Sequence, residues 1–92
     1  MTILIYAIKS TGENKLIAVA PDHLLDKVQE YCAGRNKASI EAGYNTSYKY
    51  DRTDATMIED ETDLEFESRV KVTEATKAER DKNFLELQRF SL

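Results

Sequence analysis

Residues 58–73 read IEDETDLEFESRVKVT, and the secondary structure assigned to them decides how many strands this chain has. From Thr62 the alternation is strict. Leu64, Phe66, Ser68, Val70 and Val72 fall on one side, and Asp63, Glu65, Glu67, Arg69 and Lys71 on the other. A period of two is the pattern of a strand with one face on a core and one in water. The spacing therefore predicts a strand from Thr62 to about Thr73. Upstream, Thr46 to Arg52 alternates in the same way, with Tyr48 and Tyr50 on a core-facing side and Lys49 and Asp51 opposite, which predicts another strand. The stretch from Arg52 to Glu61 between the two is longer than a tight hairpin needs, which weakens the case for direct pairing.

Nearer the start, Ile3, Ile5 and Ala7 share one face of Thr2 to Lys9, and Leu4, Tyr6 and Ile8 share the other. Both faces are apolar, as in a covered, central strand. Ser10 to Asn14 supplies a turn around Gly12, and Lys15 to Ala20 returns as a second strand. Pro21 and Asp22 suit the first turn of a helix. Leu24, Leu25, Val28, Tyr31 and Cys32 recur at helical spacing, and Gly34 stands where a stop is expected. Arg35 to Asn45 has one strongly apolar residue, Ile40, and reads as a loop with at most a helical turn. At the far end, Thr76-Lys77-Ala78-Glu79 matches a capping box that opens a helix to about Phe90. Lys77 with Asp81 and Lys82 with Glu86 are spaced to pair on it. The expected order is ββαββα: an α+β fold with a mostly antiparallel sheet of about four strands and two helices on one face.

The chain has 92 residues, 41% of them apolar, which fits one domain spanning residues 1–92 with a single core. Seventeen acids against 13 bases leave a net charge of −4, unfavourable for nonspecific binding to a nucleic acid backbone. A lone cysteine, Cys32, cannot form an internal disulfide, and the short apolar opening lacks the basic start and cleavage site of a signal peptide. These features place the protein in a reducing cytoplasm.

Six carboxylates, Glu59, Asp60, Glu61, Asp63, Glu65 and Glu67, crowd into nine positions. Two readings stand. One makes them the wet face of an ordinary strand whose charge guards against aggregation. The other makes them a partner surface, because carboxylates on alternate strand residues stand about 7 Å apart, near the phosphate spacing of a nucleic acid strand. Lys49, Arg52, Arg69 and Lys71 either neutralise the acids across strands or touch a nucleic acid backbone themselves. Catalysis has little to work with: His23 and Cys32 are about 13 Å apart along a helix, and no nucleophile motif surrounds a serine. The acids lack the calcium-loop pattern, so neither metal nor cofactor is expected.

The opening MTILIYAIKSTGENKLIAVAP, the helix DHLLDKVQEYCAG and the acidic second half resemble small phage-encoded anti-CRISPR proteins. Within them, the layout is similar to inhibitors of the type I-F crRNA-guided surveillance complex. That resemblance implies a non-enzymatic protein in the bacterial host cell that binds subunits of the complex, or its guide RNA, and blocks target DNA binding or hybridisation. The alternative is a small homodimeric structural or regulatory protein, a phage protein if the resemblance in source holds, with no nucleic-acid-related role. Phe84, Leu85, Leu87, Phe90 and Leu92 spread round more of the last helix than one apolar stripe needs.

Overall fold

A computed structural model describes residues 1–54, 58, 60–70, 73–74 and 77–89. The expected hairpin is present. Strand β1 (Thr2–Lys9) pairs antiparallel with β2 (Asn14–Pro21), and Gly12 takes the positive φ, 92°, that the turn requires. A 3-10 turn (Asp22–Leu24) leads into helix α1 (Leu25–Ala42), and β3 (Thr46–Thr53) returns antiparallel along the other side of β1. The sheet core is thus β3-β1-β2 with β1 central, as its two apolar faces required. Helix α2 (Asp63–Val70), a two-residue strand β4 (Thr73–Glu74) parallel to Lys15 and Leu16 of β2, and helix α3 (Lys77–Arg89) complete the chain.

The α+β class holds, but the ββαββα order and the long fourth strand do not. Residues 63–70 are helical. The deciding signal is local: Thr62 Oγ1 accepts the Glu65 N–H, and Glu65 Oε2 accepts the Thr62 N–H, both at 3.2 Å. That reciprocal pair is a capping box, and the Phe66 N–H donates to the Thr62 carbonyl at 3.0 Å to close the first turn. The apolar residues suit either structure, because Phe66 and Val70 are also four apart, one helical turn. Among the described residues, the only strand that follows β3 is the two-residue pairing of Thr73 and Glu74 with β2.

The helices occupy both faces of the sheet rather than one. On the first face, Ile3, Ile5, Ala18 and Ala20 pack with Val28, Tyr31 and Cys32 of α1 and Leu87 of α3. Tyr48 and Tyr50 of β3 border this cluster, on the core side as expected. A bulge makes the second strand fit. Ile5 opposes Ala18 and Tyr6 opposes Leu16, so Ile17 is an extra residue that joins Ala18 on the α1 side. On the second face, Leu4, Tyr6 and Leu16 surround Phe66, which is fully buried and anchors α2. Burial of that ring contributes about 2–3 kcal/mol.

Helix α1 also differs from expectation, because it runs through Gly34 and ends only at Gly43, which takes the left-handed conformation at φ 78°. The Tyr44 N–H returns to the Ser39 carbonyl at 2.9 Å in the Schellman arrangement. Residues 35–42, expected as a loop, are therefore helix. A glycine inside a helix costs about 1 kcal/mol relative to alanine, and polar bonds made beyond Gly34 offset it. Asn36 pairs both amide atoms with the backbone of Tyr48: Oδ1 accepts its N–H at 2.6 Å and Nδ2 donates to its carbonyl at 3.1 Å. The Ser39 hydroxyl donates to the Thr46 carbonyl at 2.8 Å. At the other edge of the sheet, Asn83 of α3 donates to the carbonyl of the bulged Ile17 at 2.6 Å. Helix-borne asparagines thus bond to the outer backbone of both β3 and β2. The last helix starts at Lys77, as predicted, while Thr76 of its proposed cap lies outside the described residues; its Glu86 meets Arg35 at 3.3 Å.

Candidate functional site

The acidic stretch is a turn and a short helix. An eight-residue helix is marginal alone, and three features hold this one: the capping box, the buried Phe66 and an Arg–Glu fork. Arg69 donates from Nε to Glu61 Oε1 at 3.0 Å and from Nη2 to Oε2 at 2.8 Å. Glu61 Oε2 also accepts the Ile58 N–H at 3.1 Å, and the Arg69 guanidinium lies over the Phe66 ring at 5.7 Å. The hydrogen bonds from Arg69, followed by that of the Ile58 backbone, hold the Glu61 carboxyl below its ordinary range despite the opposing effect of burial.

Each predicted site residue can now be placed. Asp60 is exposed in the turn. Glu61 faces inward, with 7% of its side chain accessible, and serves the fork. Glu65 is exposed and caps α2. Asp63 and Glu67 lie one helical turn apart in α2, and Glu59 lies outside the described residues. The alternate-residue carboxylate ruler is therefore lost. In a helix Glu65 is rotated by about 200° from Asp63, so the three acids no longer share one line.

The three bases that lie among the described residues, Lys49, Arg52 and Arg69, do not gather into a patch. Arg52 forks onto Asp22, at 2.7 and 2.9 Å, and ties β3 to the start of α1. The Arg52 hydrogen bond lowers the Asp22 carboxyl from its ordinary value. Arg69 is held by Glu61. Lys49 is exposed on β3 opposite Tyr6, on the α2 side of the sheet, and Lys71 lies outside the described residues. Acid–base pairing does occur, as one reading of the sequence anticipated, but for Arg52 and Arg69 it reaches the residues just ahead of a helix instead of crossing two strands.

The remaining surface of the stretch mixes charge with apolar area. Ile58 is 65% exposed and Leu64 76% exposed, beside the exposed Asp60 and Glu65. Sequence reasoning passed over Leu64 because strand alternation assigned it to the core.

It also passed over a second feature, at the far end of α1. Arg35, Ala38, Ser39, Ala42, Tyr44 and Tyr48 line a pocket of about 220 Å³. The Arg35 guanidinium stacks over the rings of Tyr48 and Tyr31, at 5.2 and 5.8 Å. Reading residues 35–45 as a loop hid this site, since only a helix brings Arg35, Ala38 and Ala42 to one side. Cys32, in the core cluster of α1, is a buried thiol that desolvation pushes up to about 11.

Set against protein-family models, curated proteins and solved structures, the chain matches none. Among the described residues no helix is long and apolar enough to cross a membrane.

Proposed function

We propose that this chain is a non-enzymatic binding protein that inhibits a type I-F crRNA-guided surveillance complex, the partner its resemblance implies, and blocks target DNA binding or hybridisation. The contact runs through the turn and helix of residues 60–68 with Ile58 beside them, with Leu64 as apolar anchor and Asp60 and Glu65 as acidic rim. One observation carries this reading: two large apolar side chains stand exposed within an acidic, internally braced helix start. Protein interfaces combine an apolar centre with a polar rim. Complexes that hold nucleic acid in basic channels attract and steer acidic surfaces. The alternative contact through Lys49, Arg52, Arg69 and Lys71 has less support, because Arg52 and Arg69 already serve carboxylates within the fold.

The test is capture of a purified type I-F surveillance complex by the tagged protein, followed by target DNA binding to the captured assembly. Capture with loss of DNA binding supports inhibition; absence of capture overturns it. Leu64→Ala, at an exposed position, should weaken capture about tenfold without unfolding the protein. Unchanged affinity in Leu64→Ala and Asp60→Lys places the contact elsewhere.

A homodimer is the competing reading, favoured by Leu85, 54% exposed on α3. Sedimentation equilibrium of the wild type and of Leu85→Glu separates the two. A dimer abolished by Leu85→Glu supports self-association through α3.

A further inference from the structure

The pocket between α1 and β3 lies on the face of the sheet opposite α2, apart from the surface proposed above. Its walls are unequal in character. Ala38 and Ala42 leave the space, the Tyr48 ring forms a flat side, and Tyr44, 72% exposed, forms the outer wall. The Ser39 hydroxyl is occupied by the carbonyls of Thr46 and Tyr44. Arg35 is then the one charged group among the lining residues.

Arg35 is held in place by stacking on Tyr31 and Tyr48, with side-chain hydrogen bonding to Tyr48 and to Glu86 beside it. Its Nε is buried without a hydrogen-bond partner, and its bond to Glu86 is a single contact through Nη1 at 3.3 Å between side chains 39% and 43% exposed. A planar guanidinium positioned by aromatic faces is suited to a planar carboxylate, which it receives with two parallel bonds. The volume, below the roughly 300–1,000 Å³ of drug-sized sites, suits one side chain.

We infer that this pocket receives the C-terminal residue of a partner protein, its apolar side chain against Ala38, Ala42 and Tyr48 and its α-carboxylate on Arg35. Charge decides against the nearest competitor, a nucleotide stacked on Tyr48. Nucleic acid binding draws on several clustered bases, whereas this pocket has one, already shared with Glu86, in a chain of net charge −4. Glu86, bonded to the same guanidinium from α3, competes with the ligand carboxylate.

The experiment is titration of the ¹⁵N-labelled full chain with N-acetyl-L-leucine, followed by amide shifts. Saturable shifts at Ala38, Ser39, Ala42 and Tyr48, with a dissociation constant of about 2 mM for so small a probe, are expected. N-acetyl-L-leucinamide should bind at least about tenfold more weakly, because it lacks the charge that Arg35 recognises. Glu86→Gln should tighten N-acetyl-L-leucine about threefold by removing the competitor, and Ala42→Leu should abolish the shifts by filling the space. Failure to saturate by about 20 mM overturns the site. Equal binding of acid and amide overturns the role of Arg35, and tighter binding of uridine 5′-monophosphate overturns the peptide assignment.

Discussion

Replacing Asn36 by alanine tests the seam on which the α1 pocket depends. Asn36 Oδ1 and Nδ2 satisfy the N–H and carbonyl of Tyr48 as a neighbouring strand would, at 2.6 and 3.1 Å. Removal strips one donor and one acceptor of their partners at a half-buried position. An unsatisfied buried group costs about 1–3 kcal/mol, and since water can reach this edge each loss belongs near the lower end, about 2–3 kcal/mol together. A chain of 92 residues has roughly 5–14 kcal/mol of stability to lose. With a urea slope of about 1 kcal/mol/M, the midpoint should fall by about 2–3 M. Urea denaturation followed by far-ultraviolet circular dichroism measures this directly. The slope must stay constant for the comparison to hold. The freed Tyr48 backbone also gives β3 an edge to pair with another copy, so sedimentation velocity should reveal concentration-dependent association. A midpoint within about 0.5 M of wild type would refute the argument, because it would mean that the amide bonds contribute no more than water does.

Thr62→Ala breaks the capping box of α2 and should cost about 1 kcal/mol, or about 4–8 °C in thermal midpoint, whereas Thr62→Ser should retain most of it. Because the Glu61 carboxyl is lowered from its ordinary value of 4.5, its stabilising contribution is complete above that value and is lost as pH falls through the lower folded value. Thermal midpoints between pH 7 and pH 3 should therefore fall further for wild type than for Glu61→Gln; parallel curves would remove the fork from the account of acid stability. Cys32, buried and pushed up to about 11, is thiolate in about one molecule in a thousand at pH 8. Alkylation should be slow in the native protein and fast in urea, and rapid stoichiometric labelling of the folded chain would contradict its placement in the core.

The three long strands were legible because their signals agree. Alternation on both faces of β1, the turn at Gly12 and the tyrosine alternation of β3 all belong to strands, and no competing pattern overlies them. Residues 62–70 carry two patterns at once. Alternation spoke for a strand, and Thr62 with Glu65 spoke for a helix start. The cap prevails because, as a helix, the stretch still seats the Phe66 ring against Leu4, Tyr6 and Leu16 on the second face of the sheet. The length of α1 was illegible for another reason. Beyond Gly34 the helix is held by amide, hydroxyl and guanidinium contacts of Asn36, Ser39 and Arg35, and such contacts leave no apolar period to read. Of the acidic segment, Asp60 and Glu65 are exposed while Glu61 turns inward to its fork, and the even spacing followed from the strand assignment and fell with it.

The central position of β1 has a consequence for how the chain is made. Its first neighbour, β2, follows directly in sequence, so the hairpin needs only a short loop to close and forms on a microsecond scale. Its second neighbour pairs Thr2 with Thr53, a contact that must wait until α1 and β3 have left the ribosome. During that interval the most apolar strand of the protein has one bare side. A nascent chain stalled before β3 is thus a sticky half-sheet, and the rate at which translation delivers residues 46–53 sets how long each molecule spends exposed to aggregation or chaperone capture.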